Sequence, residues 1–268
     1  MYEFKFDGYS AEQCERYLKR IGAEYDGEPN LKNLDMLISR HQKSVPFENL
    51  ALIMNRGSIN LDPQSLYQKI VLDHRGGFCF ELNGAFLLLL KGLGYDAAGC
   101  MARVGLPFIG ELLNPDHRGI LVRLDGKRYF CDVGMGGPKA DWAIEFADKI
   151  DEIHKQTRHG QTYWIEDTYE GWKMLKNEGS ESDGSVIIFS PTAMLPIDFY
   201  GNCRDLVERG GTIFHTERMV NLCLENGYID VRNNTLKISD DGRVSQRDFE
   251  EKEFWDIMEK YFGISISE

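Results

Sequence analysis

Several features are scarce or missing from this 268-residue sequence, and each absence removes a class of protein. The longest purely apolar run, Ala85–Leu90, is far too short to cross a bilayer. The opening residues MYEFKFDGYS have no basic segment followed by an apolar one, so no secretory leader is expected. No C-x-x-C pair occurs among the six cysteines, and gaps of 20 or more residues separate each from the next. Neither a zinc site nor a dense disulfide framework is expected from that spacing, and no metal is predicted. Lys and Arg never cluster into a basic run, and the net charge is −12. Such a chain repels a phosphate backbone, which disfavours general nucleic-acid binding, and nothing suggests membrane association. A cytoplasmic protein with mostly free thiols is the expectation.

What is present is an ordinary globular composition, 42% apolar and 28% charged, with length for one large domain or two small ones. The first 95 residues read as helices. Ser10 and Gln13 form a capping box, with Gly22 closing that helix. Asn30 starts a second helix with Leu31, Leu34, Leu37 and Ile38 on one face. Asp62-Pro63 starts a third. From Cys79 to Lys91 the chain is apolar nearly all round, predicting a central buried helix. From about Asp96 the pattern turns to strands: 97–104, 119–124 and 127–133, with Asp125-Gly126 as a hairpin turn. Further strands are expected at 161–166, 172–176 and 186–189, and 178–185 reads as an exposed loop. After Pro191 comes a mixed region, then a meander over 218–238 turning at Asn226-Gly227 and Asn233-Asn234. Ser245 is expected to cap a final helix carrying Phe249, Phe254, Ile257, Met258, Tyr261 and Phe262.

Chemistry concentrates around Cys79, in HRGGFCFELNGAF. Two glycines and then a helix start put its thiol where unpaired N–H groups and the helix dipole favour thiolate. A buried structural cysteine fits the same placement. The hairpin adds geometry. With Asp125-Gly126 as the turn, Leu124 pairs with Lys127 and Gly119 lies opposite Asp132. His117 then shares a face with Asp132 as its diagonal neighbour. Asp132 could orient one imidazole nitrogen while the other serves a nucleophile. An exposed His and Asp near loop ends is the alternative, and one bulge would change the faces. His154 and His159 lie in a polar stretch without a ligand pattern. Cys131, next to Asp132, should point the other way into packing.

RGGFCFELN, DHRGILV and YFCDVGMGG, in that order, resemble the catalytic motifs of the arylamine N-acetyltransferases. His117 and Asp132 follow Cys79 by 38 and 53 residues, which suits that family. VPFENL (45–50), DFYGN (198–202) and FWDIMEKYFGI extend the resemblance over most of the chain. It implies an α+β fold: an N-terminal helical bundle (1–95), a central antiparallel β-barrel-like domain (96–190) and a C-terminal α/β lid (191–268). Their core would be a Cys-His-Asp site similar to that of thiol proteases and transglutaminases. Cys79 would be the nucleophile, His117 its base and Asp132 the orienting acid. Acetyl-coenzyme A is the implied cosubstrate, with no permanently bound cofactor. A small aromatic amine or hydrazine is the implied acceptor, transfer running by ping-pong through a cysteinyl thioester. An amide synthase, or a thiol hydrolase or transglutaminase-like enzyme, would use the same residues. The resemblance places Gly134, Gly136, Gly137 and Thr212 at the coenzyme, and Phe47 and Met135 at the acceptor. Met135 departs from the family's usual aromatic, and the proline that usually precedes the Thr212 segment is missing. Arg75 is expected to form a structural salt bridge under the site. The chain would be a monomer or homodimer.

Overall fold

The computed structural model describes residues 7–54, 59–104, 115–136, 139–168, 171–178, 185–210 and 212–265. Helices α1 (Ala11–Arg20), α2 (Leu31–Ser44) and α4 (Pro63–Tyr67) start on side-chain caps from Ser10, Asn30 and Asp62. Each cap satisfies N–H groups that a helix start leaves without an internal acceptor. A π-helical turn, Gln68–Leu72, extends α4, and a short α3 (Leu50–Ile53) precedes it. Helix α5 (Cys79–Gly92) is buried continuously from Cys79 to Leu90. Its lack of a polar stripe follows from that position, with neighbours on every side. Leu82, Phe86, Leu89 and Leu90 are fully buried, and each such side chain contributes about 1.5–3 kcal/mol of transfer free energy.

An eight-stranded antiparallel sheet follows. Its strands are β2 (Asp96–Val104), β3 (His117–Leu124), β4 (Lys127–Cys131), β5 (Ile144–Phe146), β6 (Gln156–Arg158), β7 (Gln161–Asp167), β8 (Lys173–Asn177) and β9 (Ser185–Phe189). They lie in the order β5-β4-β3-β2-β9-β8-β7-β6. The sheet curls until its edges nearly meet, giving a barrel. There the Gln156 side chain donates to the Glu145 carbonyl (2.9 Å) and accepts from its N–H (3.0 Å), occupying an otherwise open edge. The barrel interior holds Phe130, Trp142, Tyr163 and Phe189, with the Phe130 and Phe189 rings stacked at 4.2 Å.

Helix α6 (Asp198–Glu208) and the short α7 (Ile213–Thr216) lead to a five-stranded antiparallel sheet. It contains β1 (Phe47–Glu48), β10 (Met219–Cys223), β11 (Gly227–Arg232), β12 (Thr235–Asp240) and β13 (Arg243–Asp248), in the order β1-β10-β11-β12-β13. Strand β1 is the link to the helical part, pairing with β10 while Phe47 also bridges to Gly77. Helix α8 (Phe254–Phe262) covers this sheet through Phe254, Ile257, Met258 and Phe262.

One expectation is overturned here. Ser245 caps no helix. It lies in β13, and the final helix starts at Phe254 after a 3-10 turn. Asp241 and Gly242 both take positive φ, +46° and +74°, and turn β12 back into β13. That is the two-residue hairpin geometry already recognised at Asp125-Gly126. The 178–185 loop falls largely outside the described residues, as does Gly137. Among the described residues, no helix is long and apolar enough to cross a membrane.

Candidate active site

Cys79 opens α5, and the loop before it is held by backbone contacts that tolerate no side chain. The Glu48 N–H donates to the Gly77 carbonyl at 2.9 Å. A Cβ at Gly76 would fall 2.0 Å from the Pro46 carbonyl oxygen, which bars every other residue there. Arg75 forms its expected salt bridge. Its Nη2 lies 2.7 Å from Oε1 of the buried Glu48, whose Oε2 accepts from the Leu50 N–H at 2.7 Å. Burial opposes ionisation of Glu48, but Lys69 and Arg75 outweigh it and hold the carboxyl below its usual range. Glu81 accepts from Lys69 at 2.7 and 2.9 Å and from the Phe78 N–H at 3.2 Å. Two charged pairs therefore brace the turn that presents Cys79.

His117 and Asp132 come from the ends of the β3–β4 hairpin. Leu124 pairs with Lys127 and Ile120 with Cys131, with no bulge between them. His117 Nε2 lies 2.5 Å from Asp132 Oδ2, and both residues are buried. The Cys79 Sγ lies 3.6 Å from the Asp116 carbonyl oxygen, one residue before His117. Burial disfavours a charged His117 ring, but Asp132 and Cys79 outweigh it and hold the imidazole well above its ordinary pKa. With Nε2 committed to Asp132, Nδ1 is the nitrogen left for the thiol. Cys131 is buried in the core shared with α5, away from this contact.

Sequence reasoning missed the residues that hold Asp132 in place. Asn83 donates through Nδ2 to Asp132 Oδ1 (2.9 Å) and to the Arg118 carbonyl (2.6 Å). Its Oδ1 accepts from the Val133 N–H at 2.9 Å. Gln42 donates to the backbone carbonyls of Asp132 and Ala140, both at 3.0 Å. Asn83 stands four residues after Cys79, so the two share a helix face. That spacing was the available signal. Gln42 offered none.

The remaining expected residues sit as follows. Gly134 lies against Cys79, where a Cβ would come within 2.8 Å of the Cys79 Cα, and its N–H donates to Asp132 Oδ1 at 2.8 Å. Gly136, at φ +63°, lies over the Phe47 ring. Phe47 and Met135 line one small pocket with Val133, Gly136, Lys139, Asn221 and Cys223. It shares Gln42, Lys139 and Cys223 with a cleft of about 670 Å³ that runs between the end of α2 and the β10–β11 hairpin. Met135 also packs against the barrel core. Phe214 lies 6.5 Å from Phe47, ring to ring, bringing the Thr212 segment to this side of the molecule. The Thr212 hydroxyl itself meets His215 Nδ1 at 2.8 Å, and His215 Nε2 meets the Val207 carbonyl at 2.7 Å. His159 pairs with Asp141 at 2.9 Å, a tertiary contact.

A buried cysteine at a helix start, facing a histidine–aspartate pair from a barrel hairpin, defines a thiol–imidazole–carboxylate site able to support acyl transfer. A family model described as N-acetyltransferase matches residues 30–268, and the chain belongs to that family. Among curated proteins it is 34% identical over 145 residues to the arylamine N-acetyltransferase / N-hydroxyarylamine O-acetyltransferase of Salmonella typhimurium, covering 54% of this chain and 50% of that protein. The chain spans about half the length of the curated relatives it matches. In fold it is similar to the solved Salmonella typhimurium arylamine N-acetyltransferase, with a TM-score of 0.88 over 97% of this chain and 94% of that one at 22% identity. The Mycobacterium marinum arylamine N-acetyltransferase, solved in complex with CoA, aligns with a TM-score of 0.83 over 94% and 92% at 23% identity.

Proposed function

We propose that this protein transfers an acetyl group from acetyl-coenzyme A to the nitrogen of an arylamine or arylhydrazine, through a thioester on Cys79. The observation that carries the reading is the 2.5 Å His117–Asp132 contact beside a cysteine at the start of a buried helix. Asp132 fixes the imidazole, and the imidazolium stabilises a Cys79 thiolate. The thiolate attacks the thioester carbonyl, the oxyanion is met by N–H groups at the helix start, and its collapse expels the coenzyme sulfur, which takes the proton from the His117 imidazolium and leaves as a thiol with His117 neutral. One thioester replaces another, so the exchange is nearly balanced. An amine then attacks the acyl-cysteine, His117 takes its proton, and Cys79 departs as thiolate.

Gly134 and Gly136 are assigned to the coenzyme and acceptor cleft because their bare backbone packs directly on Cys79 and on the Phe47 ring. Thr212 is assigned to the coenzyme side through the Phe214–Phe47 contact. Phe47 and Met135 form the acceptor wall. Gly137 belongs to the same proposed segment. Six cysteines with no disulfide among them suit a reducing compartment, the cytoplasm.

Mass spectrometry after incubation with acetyl-coenzyme A tests this directly. A gain of about 42 Da on the Cys79 peptide, roughly one acetyl group, is expected in the wild type and not in Cys79→Ser. Adding an arylamine should discharge the adduct, and double-reciprocal plots should be parallel. Intersecting lines with no adduct in the absence of amine would refute the thioester route. Discharge by water at the same rate as by amine would favour a hydrolase.

A further inference from the structure

Arg118 follows His117 on β3, and strand alternation sends its side chain to the opposite face. It is buried there, 4% exposed. Two glycines make the room. A Cβ at Gly84 of α5 would lie 2.8 Å from Nη1, and one at Gly99 of β2 would lie 3.4 Å from Nε. The guanidinium carbon sits 4.2 Å over the Phe199 ring of α6. Nε finds no hydrogen-bond partner. Among the described residues, no carboxylate forms an ion pair with this cation. The titratable groups that face it are Cys79 from α5, Cys100 from β2, Cys203 and Tyr200 from α6, and Tyr9 from the N-terminal segment.

A buried cation without a counter-ion is costly, so a compensating charge is expected nearby. Burial pulls Arg118 down only to about 10, leaving it charged at neutral pH. Burial also pushes Cys100, Cys203, Tyr200 and Tyr9 up, so those four stay neutral. Cys79 alone stands next to a proton acceptor, His117. Counting charges, a thiolate–imidazolium pair with the Asp132 carboxylate leaves the buried site one negative charge in excess. Arg118 supplies a matching positive charge on the Cys79 side, from the far face of β3, while Lys139 is a second cation that faces Asp132.

We propose that Arg118 is a positioning residue whose buried, carboxylate-free guanidinium balances the charge of the Cys79–His117–Asp132 site and so holds Cys79 as thiolate. The inference rests on Cys79 being the nucleophile, but its test does not require acetyl transfer. Cys79 is alkylated with iodoacetamide across pH, and the Cys79 peptide is followed by mass spectrometry so that the other thiols do not contribute. Arg118→Met keeps the bulk and removes the charge, while Arg118→Lys keeps the charge. The Met variant should raise the midpoint of the alkylation profile by about one pH unit, making alkylation about tenfold slower below both midpoints. Its limiting rate at high pH should match the wild type. The Lys variant should stay within about threefold of the wild type throughout.

Arg118→Gln gives the same neutral comparison if the Met variant does not fold. A folded neutral variant with the wild-type midpoint would overturn the proposal, as would a Lys variant as slow as the Met variant. A low wild-type midpoint without any acetyl adduct would instead refute the proposed function and leave the role of Arg118 standing.

Discussion

Replacing Asn83 with alanine removes one side chain and disturbs three groups. Asp132 Oδ1 loses a donor at 2.9 Å, the Arg118 carbonyl loses one at 2.6 Å, and the Val133 N–H loses its acceptor at 2.9 Å. A hydrogen bond to a charged group is worth about 1.5–3 kcal/mol, and a buried donor left without a partner costs about 1–3 kcal/mol. The Gly134 N–H still reaches Asp132 Oδ1 at 2.8 Å, so the carboxylate is not stranded. The sum points to a loss of about 3 kcal/mol of stability, or roughly 6–12 °C in melting temperature for a chain of this size. Function should fall as well, since Asp132 is then free to rotate away from His117. About 2 kcal/mol of lost orientation corresponds to a roughly 30-fold slower acylation of Cys79. Urea unfolding and single-turnover acylation with acetyl-coenzyme A measure the two effects separately. Asn83→Asp should be slower still, because a second carboxylate would face Asp132. A stable Asn83→Ala protein that acylates at the wild-type rate would show that Asp132 is positioned by Gln42 and the backbone alone.

Glu48→Gln should cost about 3–5 kcal/mol, because it leaves Arg75 without its partner beneath the Cys79 turn. In the wild type the depressed Glu48 carboxyl contributes stability that is present above the unfolded glutamate pKa and lost as pH falls through the folded value, so urea midpoints should drop on the acid side and the Gln variant should lose that dependence. His117 has the opposite sign. Its raised folded value contributes stability fully present below the unfolded histidine pKa and lost as pH rises through the folded one, and a flat alkaline limb matching that of His117→Gln would contradict this. Met135→Phe should leave acylation nearly unchanged while altering the ranking of arylamine and arylhydrazine acceptors several-fold, about 1 kcal/mol in the transfer step. Stopped-flow measurement of the two half-reactions checks it, and a large fall in acylation with the ranking preserved would move residue 135 to the donor side.

Local signals carried far in this chain because several depend on neighbours in sequence. Ser10, Asn30 and Asp62 cap helices because their side chains reach N–H groups two or three residues on. Asp125-Gly126 sets the register of its hairpin, and register alone puts His117 and Asp132 on one face. The same reasoning failed at Ser245, where a local capping pattern competed with pairing to β12. The turn at Asp241-Gly242 decided that contest, since every residue of β13 finds a partner across the strand pair. Other features were decided only by tertiary contact. Nothing local to Glu48, Arg118 or Gln42 tells that these polar side chains are buried, because burial is set by segments far away in sequence. Glu48 is covered from the Arg75 turn, Arg118 from Gly84, Gly99 and Phe199, and Gln42 from the barrel hairpin. The sequence by itself determined the cysteine at a helix start and the His–Asp hairpin. Their meeting, and the charge balance around them, came from α5 packing against the barrel, where excluded water makes each unpaired charge costly and each pairing decisive.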